Sequence, residues 1–163
     1  MTRSLSILLV LLAFGVLALP SNAQFRVGAA YGTEAELGVA AGFQLPFSLD
    51  SVEGLSFGVD GIFYIPRSEG PSGAEVDITA FEVNGNAHYP LTDAGSGKVY
   101  ALAGLQYAYV KADVTVFGIS GSASDSQVGL NLGGGINFGM LFGEAKYSLG
   151  GMEQLALTVG VSF

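Results

Sequence analysis

Charged residues that alternate with apolar ones are the first candidates for chemistry in this sequence. Arg26 lies between Phe25 and Val27, and other charged residues have similar apolar or small neighbours. In an extended strand, successive side chains point to opposite faces, so such charges lie opposite the apolar residues. A charge held on an enclosed face is costly unless it is paired. The residues in this class are Arg26, Asp60, Glu82, Lys98, Glu144 and Lys146.

Enzymatic chemistry is limited by the single histidine, His88, and by the absence of cysteine. A Ser–His–acid hydrolase would have to use His88, and a zinc site requires more ligands of this kind. The glycines at 133–135 are not followed by the Gly-Lys-Ser/Thr of a phosphate-binding loop. The sequence therefore predicts a non-enzymatic protein without a cofactor, with His88 as an interior side chain.

Acidic residues in the predicted loops could bind divalent cations, which prefer oxygen ligands. Their spacing does not match a calcium-binding loop, so solvation is the favoured interpretation and no metal site is predicted. These residues are Glu69, Glu75, Asp77, Asp113 and Asp125.

The beginning of the chain has the layout of a secretory signal peptide. Arg3 precedes an apolar run at 5–19, and Pro20 and the small residues at 21–23 follow. The run is shorter than the roughly 20 residues of a spanning helix. We expect residues 1–23 to be a removed signal peptide and residues 24–163 to form one domain. A retained anchor is the alternative.

Composition points away from nucleic acid and towards lipid. The 163-residue chain has a net charge of −8, and only 12% of its residues are charged, against about 25% in typical globular domains. It has no basic cluster for phosphate backbones, so no nucleic-acid partner is expected. Low charge without an apolar helix in the mature part is typical of strands whose apolar residues face lipid around a closed barrel.

Eight segments alternate between apolar and small or polar residues, and the last segment follows the pattern throughout. We predict an all-β fold, an eight-stranded antiparallel up-and-down transmembrane β-barrel. Eight is an even number and a small size for such barrels. The predicted strands are 25–31, 37–45, 55–65, 79–89, 98–109, 127–138, 141–149 and 154–163.

The connections should alternate between outer loops and inner turns. Segment 110–126 also alternates in part, so it is either an extension of the fifth and sixth strands with a Gly/Ser tip, or a mobile loop. The predicted outer loops are 32–36, 66–76, 110–126 and 150–154, and the predicted inner turns are 46–54, 90–97 and 139–140.

The final strand resembles the assembly signal of bacterial outer-membrane barrels, which ends in an aromatic residue after alternating apolar positions. These positions are Leu155, Leu157, Val159, Val161 and Phe163. The mature chain is similar in layout to the small barrels of the outer-membrane protein A membrane domain and outer-membrane protein X. The resemblance implies location in the outer membrane, contact with its lipid, and recognition by the barrel-insertion machinery. It does not identify a function.

The inward charges then define the candidate site. An eight-stranded barrel has an interior just wide enough for side chains, and Asp60, Glu82 and Lys146 lie near the middle of their strands. We predict a hydrogen-bonded cluster that plugs the barrel, and a gate for a narrow conductance is the functional alternative. The candidate residues are Arg26, Asp60, Glu82, Glu144 and Lys146.

Three functions remain open at this stage. The favoured one is a structural or surface-interaction role at the cell envelope, with the surface partner unknown. The second is a narrow porin-like pore. The third is a secreted, lipocalin-like ligand-binding barrel, which would require apolar residues inside and charged residues outside.

Overall fold

The computed structural model describes residues 23–46, 54–70, 74–117 and 119–163. Almost all of the expected signal peptide and most of the expected turn 46–54 lie outside these residues. The strands are β1 (Gln24–Gly32), β2 (Glu36–Pro46), β3 (Ser56–Tyr64), β4 (Arg67–Glu69), β5 (Ala74–Ala94), β6 (Gly97–Val116), β7 (Ile119–Phe138), β8 (Leu141–Leu149) and β9 (Gln154–Ser162).

Eight of these strands form a closed antiparallel ring, so the predicted fold class is confirmed. Sequential neighbours pair around the ring, β3 pairs with β5, and β1 pairs with β9. The seam between β1 and β9 is completed by backbone hydrogen bonds in both directions between Phe25 and Phe163. The short strand β4 lies outside the ring and pairs with β5.

The distribution of side chains follows from closure. In a closed ring, every strand is hydrogen-bonded on both sides, so the sheet has no unpaired edge. Every second side chain of each strand points into the narrow interior, and the others point outwards. On β9, Gln154 and Ala156 are buried whereas Leu155 and Leu157 are exposed. The apolar parity therefore points outwards and the polar parity inwards, the opposite of what the lipocalin-like alternative requires. No helix among the described residues is long and apolar enough to span a membrane.

Aromatic side chains mark the two ends of the apolar outer band. Phe81 and Tyr109 stack on the outer face with ring centroids 5.2 Å apart. Towards the end of the barrel where Phe25 and Phe163 lie, the side chains of Phe57, Tyr89 and Phe138 are exposed on the same outer face. Aromatic residues favour the boundary between lipid and water. We call the end with Phe25 and Phe163 the terminal end, and the opposite end the projecting end.

At the projecting end, β5, β6 and β7 continue well beyond the stacked pair. Residues 110–116 of β6 pair with residues 74–80 of β5 and with 119–125 of β7. Seven residues of strand correspond to about 23 Å along the strand direction. We call these three segments, together with β4, the projecting sheet. Of the two interpretations of 110–126, the structure contains the strand extension, and residues 119–121 of the predicted Gly/Ser tip lie within β7.

Two predicted connections differ from the structure. The inner turn expected at 90–97 is wrong, because β5 continues to Ala94 and a two-residue turn leads to β6. Pro90 has no N–H to donate, and the register shifts between Pro90 and Thr92, which makes a local bulge rather than a strand end. The outer loop expected at 66–76 contains β4 and the first residues of β5.

Candidate functional site

The interior of the barrel holds two groups of polar side chains, one towards each end. The group towards the terminal end, which we call the Arg26 group, is built on an ion pair between Arg26 Nη2 and Glu144 Oε2 at 3.0 Å. Arg26 Nη2 also donates to Tyr100 Oη at 3.2 Å, and its guanidinium lies 3.7 Å from the ring centroid of Phe142. The arginine is thus held by charge, hydrogen bond and ring face together.

His88 belongs to the Arg26 group and is 3% exposed. Its Nε2 lies 3.5 Å from Glu144 Oε1, and its ring packs against Tyr100 with centroids 5.1 Å apart. The neighbouring strand β3 leaves space for this ring, because a Cβ at Gly58 would lie 2.8 Å from His88 Cε1. His88 is therefore an enclosed interior side chain, as the sequence predicted.

Lys146 joins two carboxylates on the opposite wall of the barrel. Its Nζ lies 3.3 Å from Glu82 Oε2 and 3.8 Å from Asp60 Oδ2. Glu82 is 1% exposed and accepts hydrogen bonds at 2.5 Å from Tyr64 Oη and from Gln154 Nε2. We call these five residues the Lys146 group. It connects β3, β5, β8 and β9, so it crosses the barrel from wall to wall.

Amide and hydroxyl side chains extend this cluster around the remaining wall. Asn84 Nδ2 donates to Asp60 Oδ2 at 2.9 Å, and Asn131 Nδ2 donates to the side-chain oxygens of Asn84 at 2.9 Å and Asn86 at 3.1 Å. Ser148 Oγ donates to Asn131 Oδ1 at 2.9 Å. Buried polar groups are strongly stabilised only when they are satisfied in this connected way.

A small cavity separates the Arg26 group from the Lys146 group. Its volume is about 30 Å³, and Asp60, His88, Glu144 and Lys146 contribute to its lining. That volume holds about two water molecules. Above the Lys146 group, small and aliphatic side chains narrow the mouth of the barrel. These are Ala30, Ala35, Ala40, Ile62 and Ala80, with Val110 and Met152 packed against them.

The five residues singled out from the sequence therefore lie inside the barrel in two separate groups. Arg26 and Glu144 form one pair, and Asp60, Glu82 and Lys146 meet in the other group. Lys98 shares the inward parity of Tyr100 but lies near the start of β6, where its side chain is exposed and belongs to neither group.

Sequence reasoning missed the uncharged members of the network, which share the inward parity of the charged ones. Inward parity could have identified them, because it places amide and hydroxyl side chains in the interior just as it does charged ones. The missed residues are Tyr64, Asn84, Asn86, Gln106, Asn131, Ser148 and Gln154.

The glycines at 133–135 lie within β7 rather than in a phosphate-binding loop. A Cβ at Gly135 would lie 2.5 Å from Tyr100 Oη, so this inward position must be glycine for the tyrosine to fit. Among the described residues, no group of three or more His, Asp or Glu side chains is arranged to hold a metal ion.

The proposed assembly-signal residues lie along β9 and at its end. Leu155, Leu157, Val159 and Phe163 are exposed, whereas Val161 is half-buried. This row faces outwards between β1 and β8. Its role in recognition by the insertion machinery stays a prediction.

The projecting sheet is a second candidate site, on the surface. Its polar face carries the ion pair between Lys111 Nζ and Asp113, with distances of 2.7 and 2.6 Å to the two carboxylate oxygens. The hydrogen bond to Asp113 raises the pKa of Lys111, so the lysine stays protonated and paired. On the same face, Ser68 donates to Asp77. Arg67 of β4 lies 3.5 Å from Glu36 and donates to the Glu34 carbonyl at 2.9 Å.

No protein-family model matches the sequence, and no curated protein matches it. Among solved structures, the chain is similar to Ail, the attachment invasion locus protein of Yersinia pestis. The identity is 19%, the alignment covers 86% of this chain and 97% of Ail, and the TM-score is 0.54. A structure of Ail in complex with the heparin analogue sucrose octasulfate aligns at 19% identity over 86% of this chain and 96% of that one, with a TM-score of 0.47. The first alignment shows a shared fold, that of a small eight-stranded outer-membrane β-barrel.

Proposed function

We propose that this chain is a bacterial outer-membrane protein in which a closed barrel anchors a surface-exposed projecting sheet, and that it acts by contact at the cell surface. Location in the outer membrane is supported by the apolar outer face with aromatic residues at both ends. Barrels of this class have short periplasmic turns and longer extracellular connections. The projecting end therefore faces the outside, and the terminal end faces the periplasm.

One observation carries the proposal of a closed barrel: the Lys146 group bridges opposite walls. Glu82 contacts Tyr64, Gln154 and Lys146, which lie on three other strands. Opening a path for ions would leave these buried charges unpaired, which costs several kcal/mol. The barrel interior is then a static polar plug, and the protein has a structural or interactive role rather than an enzymatic one.

The membrane location is tested by gel mobility of the outer-membrane fraction, with and without boiling in detergent. We expect faster or slower migration of the unboiled sample, because a closed barrel stays folded in cold detergent. Unchanged mobility together with recovery in the soluble fraction would contradict the proposal.

The closed interior is tested by single-channel recording of refolded protein in planar bilayers. We expect no steps of conductance for the wild type, and none for Arg26→Lys, which keeps one charge in the Arg26 group. Regular conductance steps in the wild type would favour a pore instead.

A narrow pore is the second candidate, and the contact of Lys146 with both Asp60 and Glu82 favours it. A lysine between two carboxylates can exchange partners, since the distances of 3.3 and 3.8 Å are close to each other. If the cluster is a gate, Lys146→Met should increase the conductance, because the two acidic side chains then repel each other. A static plug predicts loss of stability in this variant without new conductance.

A further inference from the structure

The two faces of the projecting sheet differ from the two faces of the barrel below it. On β6, the inward parity carries Gln106 in the barrel but Val110 and Val114 in the projecting sheet. The aliphatic residues of β5 and β7 lie beside them in register, for instance Val76 opposite Val114. The face that continues the barrel interior is thus mainly apolar, with Arg67 beside Ile78 at its β4 edge and Asp125 beside Val110 at its foot. We call it the aliphatic face; its residues are Val76, Ile78, Val110, Ala112, Val114, Val116, Ile119 and Ala123.

Exposure of this face increases with distance from the barrel mouth. Val110 packs against the aliphatic residues of the mouth, but Val114 is 36% exposed, Val116 40% and Ile119 79%. At the foot of the face, a cavity of about 210 Å³ lies between Val110 and Met152. Isolated exposed apolar residues are ordinary, but a contiguous apolar face marks a site of interaction.

The rest of the projecting end is acidic. The short connections β1–β2 and β8–β9 form a low rim that includes Glu34 and Glu153, both exposed. In the ring order of the strands, β1 lies across the barrel from β6, so this rim faces the aliphatic face across the mouth. Asp125 lies on the edge of the same cavity. The basic residues Arg67 and Lys111 are already engaged with carboxyl groups at this end.

We infer that the aliphatic face binds a basic, amphipathic peptide segment of a partner protein, with its apolar side chains on Val110, Val114 and Ile119 and its Lys or Arg side chains towards the acidic rim. The inference rests on the proposed function, in which this end faces the outside. The carboxylates of the rim favour a positively charged partner over a negatively charged one. The aliphatic face favours a partner that also has apolar side chains. Sulfated or phosphorylated ligands are excluded by the same acidic rim.

The probe is a fluorescently labelled synthetic peptide of alternating Lys and Leu, which presents Leu on one side and Lys on the other when extended. Binding is measured by fluorescence anisotropy with full-length mature protein in phosphatidylcholine nanodiscs, and empty nanodiscs supply the background. Control peptides alternate Lys with Ser, or Glu with Leu. We expect both controls to bind at least about tenfold more weakly than the Lys/Leu peptide, since each loses one half of the contact.

The matched variants lie on opposite faces of the same two strands. Val114→Ser with Ile119→Ser should weaken binding of the Lys/Leu peptide at least about tenfold, whereas Thr115→Ser with Ser122→Thr should leave it within about twofold. Asp125→Asn with Glu153→Gln should weaken it and reduce its dependence on salt. All of these positions are at the surface, and the boiling-dependent gel shift of each variant verifies that its barrel is intact.

Three outcomes would overturn the inference. Equal binding of the Lys/Ser peptide would mean that acidic charge alone attracts the probe. Unchanged binding after Val114→Ser with Ile119→Ser would place the peptide elsewhere. Self-association that the same variant abolishes would mean that a second copy of the chain covers the face. A preparation that lacks the gel shift would instead contradict the proposed function, so the two failures are distinguishable.

Discussion

The membrane section of β6 and its projecting section share one backbone ladder but have opposite side-chain patterns. In the membrane section, Gln106 points inwards and Leu105 points outwards. In the projecting section, the inward parity carries Val114 and the outward parity carries Asp113. Pairing with β5 and β7 is continuous through the change. Backbone hydrogen bonds therefore set the sheet, whereas the surroundings of each face set its polarity.

The change occurs immediately beyond the stacked rings of Phe81 and Tyr109. Below this level the outer face meets hydrocarbon, which excludes charge, and the inner face is enclosed and can satisfy polar groups mutually. Above this level, the outer face of the projecting sheet is in contact with water. Its inner face lies beyond the mouth of the barrel. Changes in the two sections should therefore differ in their effect on stability, most strongly for buried charges and least for the projecting hairpin.

The largest effect is expected inside the membrane section. Glu82→Ala leaves Lys146, Tyr64 and Gln154 without their shared acceptor, and removal of one partner of a buried ion pair costs about 3–5 kcal/mol. Urea unfolding of the protein in lipid vesicles measures this change in the free energy of unfolding. Glu153→Ala, at an exposed position of the projecting end, is the control and should change it by less than about 0.5 kcal/mol. Equal changes in the free energy of unfolding for the two variants would show that the contacts of Glu82 stabilise the protein no more than those of an exposed carboxylate.

A smaller effect is expected on the outer face, where two positions of β7 share one parity. Leu132 is 53% exposed in the membrane section, and Leu132→Arg should lower the free energy of unfolding by about 2–4 kcal/mol, since arginine is placed in hydrocarbon. Ser122→Arg, in the projecting sheet, should change it by less than about 0.5 kcal/mol. If both variants unfold alike, the lipid boundary does not lie between these positions.

The smallest effect is expected from removal of most of the projecting hairpin. Lys111 and Ser124 are cross-strand partners, so an Asn-Gly turn can join them in place of residues 112–123. We expect the boiling-dependent gel shift to persist and the free energy of unfolding in vesicles to change by about 1 kcal/mol or less, because the deleted residues contribute little burial. Loss of the shift would mean that the projecting sheet is required for the barrel to close.

The sequence predicted most of the membrane section because its side chains alternate strictly there. Every strand of the ring was recognised from this parity, and the parity also placed Arg26, Glu82 and Lys146 on the inward side. Partners of a side chain across the lumen depend on strand tilt and register, which a single sequence does not contain. For that reason the division into an Arg26 group and a Lys146 group, and the contribution of Asn131, were not predicted.

The projecting section was harder to predict because its pattern inverts. Glu75 and Asp77 lie on the outward parity there, so a search for apolar outward positions ends the strand too early. At the other end, the predicted turn begins at Pro90, but a bulge accommodates this proline within β5. The structure extends β5 at both ends for these two different reasons.

The seam between β1 and β9 has a consequence for synthesis. Val27 of β1 pairs with Val161 of β9, so the ring cannot close until residue 161 has been synthesised. Loop closure over such a distance is slow and entropically unfavourable. Until then both edges of the sheet are open to aggregation. Changes at the seam, such as Phe163→Ala, should therefore act first on the yield of folded protein in the cell and only secondarily on the lifetime of molecules that have already folded.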